Sequence, residues 1–240
     1  MIISGAFYFV SFTPLLKKLA ERYHVYGIVM RSSGITSKVA ADGEIDWSAQ
    51  WCDDIVQFAY ALDIDKFIYL GKCHGSMPGW KILQEHPEML KAYIPISMIP
   101  GSHLLSNPNL MKMIGLRNEE NGLLKFIQAI VRKPESVAIK INEMKTLGPE
   151  GLMTSKHMGS FTEFENYDKV LEYMSHINTP MLMIYGTEDP GYKDWTEQIF
   201  KLAAVVPDMK LVTYQGERHL FEIDVPDKIA NEVIFYLPNL

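Results

Sequence analysis

Short apolar runs alternate with amphipathic stretches along most of the 240-residue chain. The runs are rich in Ile, Val and Tyr, which is typical of strands that are buried on both faces. The amphipathic stretches have apolar residues at helical spacing; between Asp46 and Leu62, for example, Trp47, Trp51 and Ile55 share one face. Because strands that alternate with helices form parallel sheets covered by helices, the pattern predicts an α/β fold with a doubly wound, mostly parallel sheet.

Six runs have the length and composition of a strand. They cover residues 1–3, 24–30, 65–71, 91–99, 180–186 and 209–215. A chain of this length is long enough for one sizeable α/β domain with an insertion. We therefore expect all six strands to belong to one sheet.

The alternation stops between the fourth and fifth runs. Nearly eighty residues there show no convincing strand, only helical patches such as those at 121–133 and 134–147. A structureless loop of this length is uncommon in a compact domain. The sequence therefore predicts a helical cap at 101–178, inserted into a core domain formed by 1–100 and 179–240.

Composition and charge narrow the range of functions. The formal net charge is −6, and no Lys/Arg run is long enough to predict a nucleic-acid surface. No apolar stretch has the length of a membrane span, and the N-terminus lacks the features of a signal peptide. The two cysteines, Cys52 and Cys73, form no disulfide or metal-ligand pattern. These features favour a cytoplasmic protein without metal or cofactor, acting on neither nucleic acid nor membrane.

The third strand runs directly into the sequence Gly71-Lys72-Cys73-His74-Gly75. A G-x-C-x-G pattern between a strand and a helix is typical of a sharp turn that exposes a nucleophile, since side chains at the glycine positions would collide with backbone. The pattern is short enough to recur by chance, and a cysteine after a strand is often only a small buried hydrophobe. Its position before a predicted helix favours a nucleophile.

Two further polar residues follow predicted strands. Asp189 comes just after the fifth strand, and His219 comes in the loop after the sixth. Carboxyl ends of parallel strands meet at one edge of a sheet, where sites assemble. Asp189 could instead cap the helix that follows it, with Glu188 as the alternative acid, and His219 could be an ordinary loop residue. The order of the three residues along the chain favours a site in which Cys73 is the nucleophile, Asp189 the acid and His219 the histidine, lying close together.

These segments resemble those of the α/β-hydrolase superfamily over essentially the whole chain. The stretch 52–76 is similar to the helix, strand and nucleophile turn of that family, 178–190 to its acid strand, and 216–237 to its histidine loop and last helix. A cysteine nucleophile is similar to that of dienelactone hydrolases. The helical insertion looks more like that of capped esterases and carbon–carbon bond hydrolases.

The sequence departs from the family pattern at its start. Ser4-Gly5 stands where the family has His-Gly, and residues 29–34 replace its Asp-x-Arg-Gly loop. The chain also opens where the third strand of the family lies. The resemblance therefore implies six parallel strands in the order 2-1-3-4-5-6, numbered along this chain. The strand at 24–30 would then be an exposed edge, which could pair with a second copy in a homodimer.

The resemblance also implies a mechanism. The thiolate of Cys73 would attack a carbonyl carbon, His219 would transfer protons, and Asp189 would orient His219. The backbone N–H groups of His74 and Ala6 would form the oxyanion hole. The side chain of His74 could act chemically or only fill space.

The expected partner is a small, largely apolar molecule, and we expect a pocket between the cap and the sheet. Its expected lining residues are Phe7, Met98, Met111, Met144, Met158 and Tyr192. The expected reaction is hydrolysis of a carboxylic ester, lactone or thioester through an acyl-enzyme. Two alternatives are a carbon–carbon bond hydrolase or lyase with the same triad, and a non-catalytic ligand-binding member of the fold.

Overall fold

A computed structural model of the chain describes residues 1–6, 11–31, 36, 45–147, 161 and 163–239. Its centre is a six-stranded sheet in which every neighbouring pair is parallel. The strands are β1 (Ile2–Ala6), β2 (Val25–Val29), β3 (Phe67–Lys72), β4 (Leu90–Ile96), β5 (Met181–Gly186) and β6 (Met209–Tyr214). The spatial order is β2-β1-β3-β4-β5-β6. The expected fold class and strand order are confirmed.

Ten α-helices occur in the described part of the chain. They are α1 (Thr13–Leu19), α2 (Trp47–Ala61), α3 (Met77–Glu85), α4 (Pro108–Gly115), α5 (Gly122–Ile130), α6 (Pro134–Leu147), α7 (Tyr167–Met174), α8 (Pro190–Val205), α9 (Phe221–Asp224) and α10 (Pro226–Tyr236). The local sequence explains where individual helices begin. The Asp46 carboxylate caps α2 by accepting a hydrogen bond from the backbone N–H of Ala49 at 3.0 Å.

Helices cover both faces of the sheet. Side chains alternate along each strand, so Ile68 and Tyr69 of β3 belong to different apolar clusters. One cluster joins Tyr69 to helices α2, α3, α7 and α8, and the other joins Ile68 to α1 and α10. The central strands β3 and β5 are buried along their whole length and are almost entirely apolar, whereas the edge strands β2 and β6 are only partly buried. This arrangement explains the strand runs in the sequence.

Between residues 101 and 178, the described part of the chain contains helices α4 to α7, joined by 3₁₀ turns and irregular loops, and no strand. Helices α5 and α6 contribute to a third, smaller apolar cluster that includes Ile127, Met144 and Ile223 of α9. Helix α7 differs, because its residues Val170 and Met174 pack in the larger cluster with the sheet. The division into a core and a cap at 101–178 stays a prediction.

Two further observations bear on partners. Strand β2 lies at one edge of the sheet, as expected, and its pairing with another copy stays a prediction. Among the residues described, no helix combines the length and the apolar character that crossing a membrane requires.

Candidate active site

The turn after β3 holds Cys73 in a strained backbone conformation. Residues Cys73–Ser76 form a single 3₁₀ turn between β3 and α3, and the φ angle of Cys73 is +52°. Side chains rarely adopt this left-handed region, and such strain clusters at functional sites. A Cβ atom at Gly71 would lie 2.3 Å from the carbonyl oxygen of Gly75, so residue 71 must be glycine for the turn to close. Cys73 as a residue is only partly buried, and it lies at the carboxyl edge of the sheet.

Two hydrogen bonds fix the shape of this turn. The Ser76 hydroxyl donates to the carbonyl oxygen of Gly71 at 2.7 Å, and the Tyr69 hydroxyl donates to that of Gly75 at 2.7 Å. All four groups are buried, where a hydrogen bond that is lost leaves a polar atom unpaired. The turn is therefore rigid, as a nucleophile at a strained position requires.

Asp189 performs both of the roles that the sequence left open. Its Oδ1 accepts a hydrogen bond from the backbone N–H of Gly191 at 2.7 Å and so caps α8. Its Oδ2 lies 2.8 Å from Nδ1 of His219. Asp189 is fully buried, whereas the alternative acid, Glu188, is exposed and pairs with Lys193. The structure therefore brings Asp189, and not Glu188, to the histidine.

The buried charges at the site support one another. Burial raises the pKa of Asp189, but the positive charges of His219 and Lys72 hold it below its ordinary value. Burial and Lys72 lower the pKa of His219, yet the Asp189 carboxylate and Cys73 raise it to about 9. At neutral pH, His219 is therefore an imidazolium held by a carboxylate.

Cys73 is close to two imidazoles. Its sulfur lies 3.3 Å from Nδ1 of His74, the residue that follows it. Burial opposes ionisation of the thiol, but the charges of His74 and His219 outweigh burial and hold the pKa of Cys73 well below its ordinary value. The second cysteine, Cys52, is buried among apolar residues on α2, and burial raises its pKa to about 12. The two thiols thus differ sharply in their readiness to ionise.

Lys72 and Glu222 form a buried charged pair that the sequence analysis did not single out. Lys72 precedes Cys73, and its Nζ lies 3.9 Å from Oε2 of Glu222 on α9. Neither of these two atoms has a hydrogen-bond partner among the described residues. A charged residue at the end of an otherwise apolar strand was the available signal, because such residues are almost never fully buried without a functional or paired role.

The predicted oxyanion donors lie near this turn. Strand β1 pairs with β3 in a register that sets Gly5 opposite Gly71, so Ala6 ends β1 close to Lys72. The first strand is longer than predicted and includes Ser4 and Gly5, because these small residues fit where Tyr69 and Met30 approach β1 closely. Ser4 is therefore a buried residue of β1. The oxyanion role of Ala6 and His74 stays a prediction.

The predicted pocket residues have different environments. Met98 is buried after β4, and Met144 packs in the small cluster of the inserted helices. The Tyr192 ring packs on that of Tyr185, with centroids 5.8 Å apart. Met111 is 57% exposed on α4, so it is not enclosed by its described neighbours. Phe7 and Met158 lie outside the described residues.

One group away from this site has atoms suited to a metal ion. The ligand atoms of Cys52, Glu85 and His86 all lie within 4.8 Å of one another. Glu85 already pairs with Lys81 at 2.8 Å, and burial keeps the Cys52 thiol protonated. We do not assign these three residues to the site around Cys73.

Comparisons with known proteins agree on the fold. No family model matches the chain. A curated relative, the (E)-2-((N-methylformamido)methylene)succinate hydrolase of Acinetobacter baylyi, is 20% identical over 218 residues, which are 90% of this chain and 81% of the relative.

Solved structures of other proteins are also similar to this chain. A meta-cleavage product hydrolase of Pseudomonas fluorescens has a TM-score of 0.78 at 12% identity, covering 99% of this chain and 90% of that one. The naproxen esterase of Bacillus subtilis has a TM-score of 0.74 at 16% identity over 98% and 82%. An N-acyl homoserine lactone degrading enzyme has a TM-score of 0.74 at 17% identity over 98% and 92%. The chain thus has the α/β-hydrolase fold, and these relatives are hydrolases.

Proposed function

We propose that this protein is a hydrolase that cleaves a carboxylic ester, lactone or thioester through Cys73, His219 and Asp189. The observation that carries the proposal is the pairing of His219 Nδ1 with the buried Asp189 carboxylate at 2.8 Å, beside a thiol whose pKa is held low. A fold alone does not define a function, so the argument rests on these groups. The hydrolase names of the relatives support the reaction class.

The first half of the reaction forms an acyl-enzyme. The Cys73 thiolate attacks the carbonyl carbon, and the oxygen takes up negative charge. We assign its stabilisation to the backbone N–H groups of His74 and Ala6; one such donor is worth about 3–4 kcal/mol where it has been tested. When the bond to the leaving group breaks, the His219 imidazolium gives its proton to the departing oxygen or sulfur. The products of this half are a thioester on Cys73 and a free alcohol or thiol; for a lactone, the hydroxyl group stays attached to the acyl chain.

The second half releases the acid. His219, now neutral, takes a proton from water while that water attacks the thioester carbonyl. Collapse of the intermediate expels the Cys73 thiolate and leaves His219 protonated. Asp189 keeps Nδ1 of His219 protonated throughout, so that Nε2 carries out both transfers. The enzyme thereby returns to its starting charge state.

The substrate class follows from the surroundings of the site. The segment after β4 carries helices and buried apolar residues, among them Met98 in the loop just beyond the strand and Met144 in α6. We therefore propose a small, largely apolar acyl or alcohol portion, bound between these helices and Cys73, with Phe7, Met111, Met158 and Tyr192 as further contacts. A nucleophilic thiol also requires a reducing compartment, which favours the cytoplasm.

A carbon–carbon bond hydrolase is the second candidate. The meta-cleavage product hydrolase has the higher TM-score of the three structures compared above, 0.78. The same three side chains could cleave a diketone, in which case a carbanion and not an alkoxide would take the proton. Product analysis distinguishes the two, because ester cleavage releases an alcohol and carbon–carbon cleavage does not.

The test combines turnover of short p-nitrophenyl esters with alkylation by iodoacetamide. Cys73 should be alkylated far faster than Cys52, and turnover should decline in parallel. Replacing Cys73 with Ser should reduce kcat by about 10²–10⁴-fold, because the protonated His219 cannot act as a general base for a hydroxyl. Slow, equal labelling of the two cysteines without turnover would favour a non-catalytic ligand-binding protein.

A further inference from the structure

His74 makes a contact that its role as a backbone donor does not require. Its Nδ1 lies 3.3 Å from the Cys73 sulfur, within hydrogen-bonding distance for sulfur. The positive φ angle of Cys73 and the 3₁₀ turn that follows set the two side chains side by side. His74 as a residue is only partly buried, so its side chain is not enclosed in the core. A side chain that only filled space would not need to place a ring nitrogen against the Cys73 sulfur.

The two imidazoles near the sulfur have different second partners. Nδ1 of His219 is occupied by the Asp189 carboxylate, which leaves Nε2 for proton transfer. For His74, the thiolate of Cys73 is the anion that favours the charged ring, while burial and the positive charges of His219 and Lys72 oppose it. The charge on His74 therefore depends on whether Cys73 is a thiolate. Acylation removes that negative charge.

We propose that the His74 side chain is a second catalytic imidazole, which holds Cys73 as a thiolate independently of His219 and leaves His219 as the group that protonates the leaving atom. This inference rests on the proposed function of Cys73 as a nucleophile. It assigns the two histidines different tasks: His74 maintains the nucleophile, and His219 transfers protons to and from the substrate.

The protons balance over a complete cycle. At rest, the thiolate is paired with the His74 imidazolium. When the carbon–sulfur bond forms, the sulfur loses its charge, and His74 releases its proton to solvent. When water cleaves the thioester, the thiolate forms again and His74 takes a proton back from solvent. His219 gives one proton to the leaving atom and recovers one from water.

Other titratable groups also face this pair and contribute to any pH profile. They are Lys72 at the end of β3, Tyr185 on β5, Asp189 before α8, His219 in the loop after β6, and Glu222 on α9. A test must therefore compare variants of the histidines with one another and not only with the original protein. Glutamine is a suitable replacement, because it keeps the polarity, the approximate volume and the backbone N–H group.

The experiment measures the thiolate of Cys73 by its absorbance near 240 nm and by the rate of iodoacetamide alkylation between pH 4 and 10, read at the peptide that contains Cys73. Cys52, whose pKa is about 12, is the internal control. Four proteins are compared: the original, His74→Gln, His219→Gln and the double variant. Circular dichroism checks that each is folded, and His74→Asn replaces His74→Gln if the latter is not.

We expect His219→Gln to keep its thiolate at neutral pH, with an alkylation rate within about tenfold of the original, although ester turnover is lost. In the double variant the thiolate midpoint should rise by at least about one pH unit above that of His219→Gln, which is a tenfold change in the ionisation constant. If His219→Gln loses its thiolate as completely as the double variant, the inference is wrong. A thiolate that persists in the original protein without any ester turnover would instead refute the proposed function.

Discussion

Ser11 and Glu143 are 132 positions apart in the sequence and are joined by two hydrogen bonds. The backbone N–H of Ser11 donates to one carboxylate oxygen of Glu143 at 3.1 Å, and its hydroxyl donates to the other at 2.9 Å. Lys140, one turn earlier on α6, donates to the same carboxylate at 2.6 Å. All three residues are buried. Helix α6 of the inserted segment is thereby attached to the chain that follows β1.

Replacing Glu143 with Gln should destabilise the protein by about 3–5 kcal/mol, because the buried Lys140 ammonium would lose the carboxylate that lies 2.6 Å from it. Urea unfolding followed by circular dichroism measures this free energy. Glu120→Gln is a matched control on an exposed glutamate and should stay within about 0.5 kcal/mol of the original. A double replacement, Lys140→Met with Glu143→Gln, should cost less than Glu143→Gln alone, because no charge is then left buried and the Gln oxygen can still accept from Ser11. Equal stability of Glu143→Gln and the control would show that the pair is not needed.

Asn in place of Asp189 separates the capping role from the role at His219. Asn is as good an N-cap as Asp, so the start of α8 should be preserved and the far-ultraviolet circular dichroism should be unchanged. Asn cannot stabilise the His219 cation, and by analogy with the serine-protease triad kcat should fall about 10³–10⁴-fold. Glu188→Gln is the neighbouring control and should leave kcat unchanged. A kcat loss shared by both variants would argue against Asp189 as the orienting acid.

The pH dependence of kcat/KM should have two limbs. Activity should fall in acid as the Cys73 thiolate takes up a proton, at a pH well below the ordinary value for a thiol. It should also fall in base as pH rises through about 9, because His219 then loses the proton that it gives to the leaving atom. A profile that rises continuously to pH 10 would show that the protonated imidazole is not used.

Lys72 shifts the basic limb of that profile. Its positive charge lowers the pKa of His219, so Lys72→Met should move the basic limb to higher pH. The same variant leaves Glu222 buried without its cation, which should cost about 3–5 kcal/mol of stability. Lys66→Met, at the exposed opposite end of β3, is the control and should change neither quantity. An unmoved basic limb in a folded Lys72→Met protein would contradict this electrostatic role.

The sequence was informative where a local pattern determines the structure. Alternating apolar runs and amphipathic stretches specified the six strands, because helices cover the sheet and the central strands β3 and β5 are buried throughout. Cys73, Asp189 and His219 could be singled out because each follows a strand at the carboxyl edge of the sheet. The two roles of Asp189 were set against each other as alternatives, whereas its two carboxylate oxygens carry out one each.

The charged residues around the site could not be placed in the same way. Glu143 lies on a helix with no local sign of burial, and its partner Ser11 is far away in sequence. Lys72 and Glu222 meet only when the nucleophile turn and α9 come together. Pairings of this kind depend on tertiary contacts. The periodicity of apolar residues and the spacing of motif residues do not encode such contacts. The contact between His74 and the sulfur likewise required the backbone angles of the turn.

The most direct test is to capture the acyl group on the enzyme. The protein is mixed with a p-nitrophenyl ester, quenched in acid within milliseconds, and analysed by intact mass and peptide mass spectrometry, with Cys73→Ala as the control. We expect an added acyl mass on the peptide that contains Cys73 and none on the peptide that contains Cys52, with no adduct in Cys73→Ala. Continued ester turnover by Cys73→Ala, or an acyl group on another residue, would contradict the assignment of Cys73 as the nucleophile.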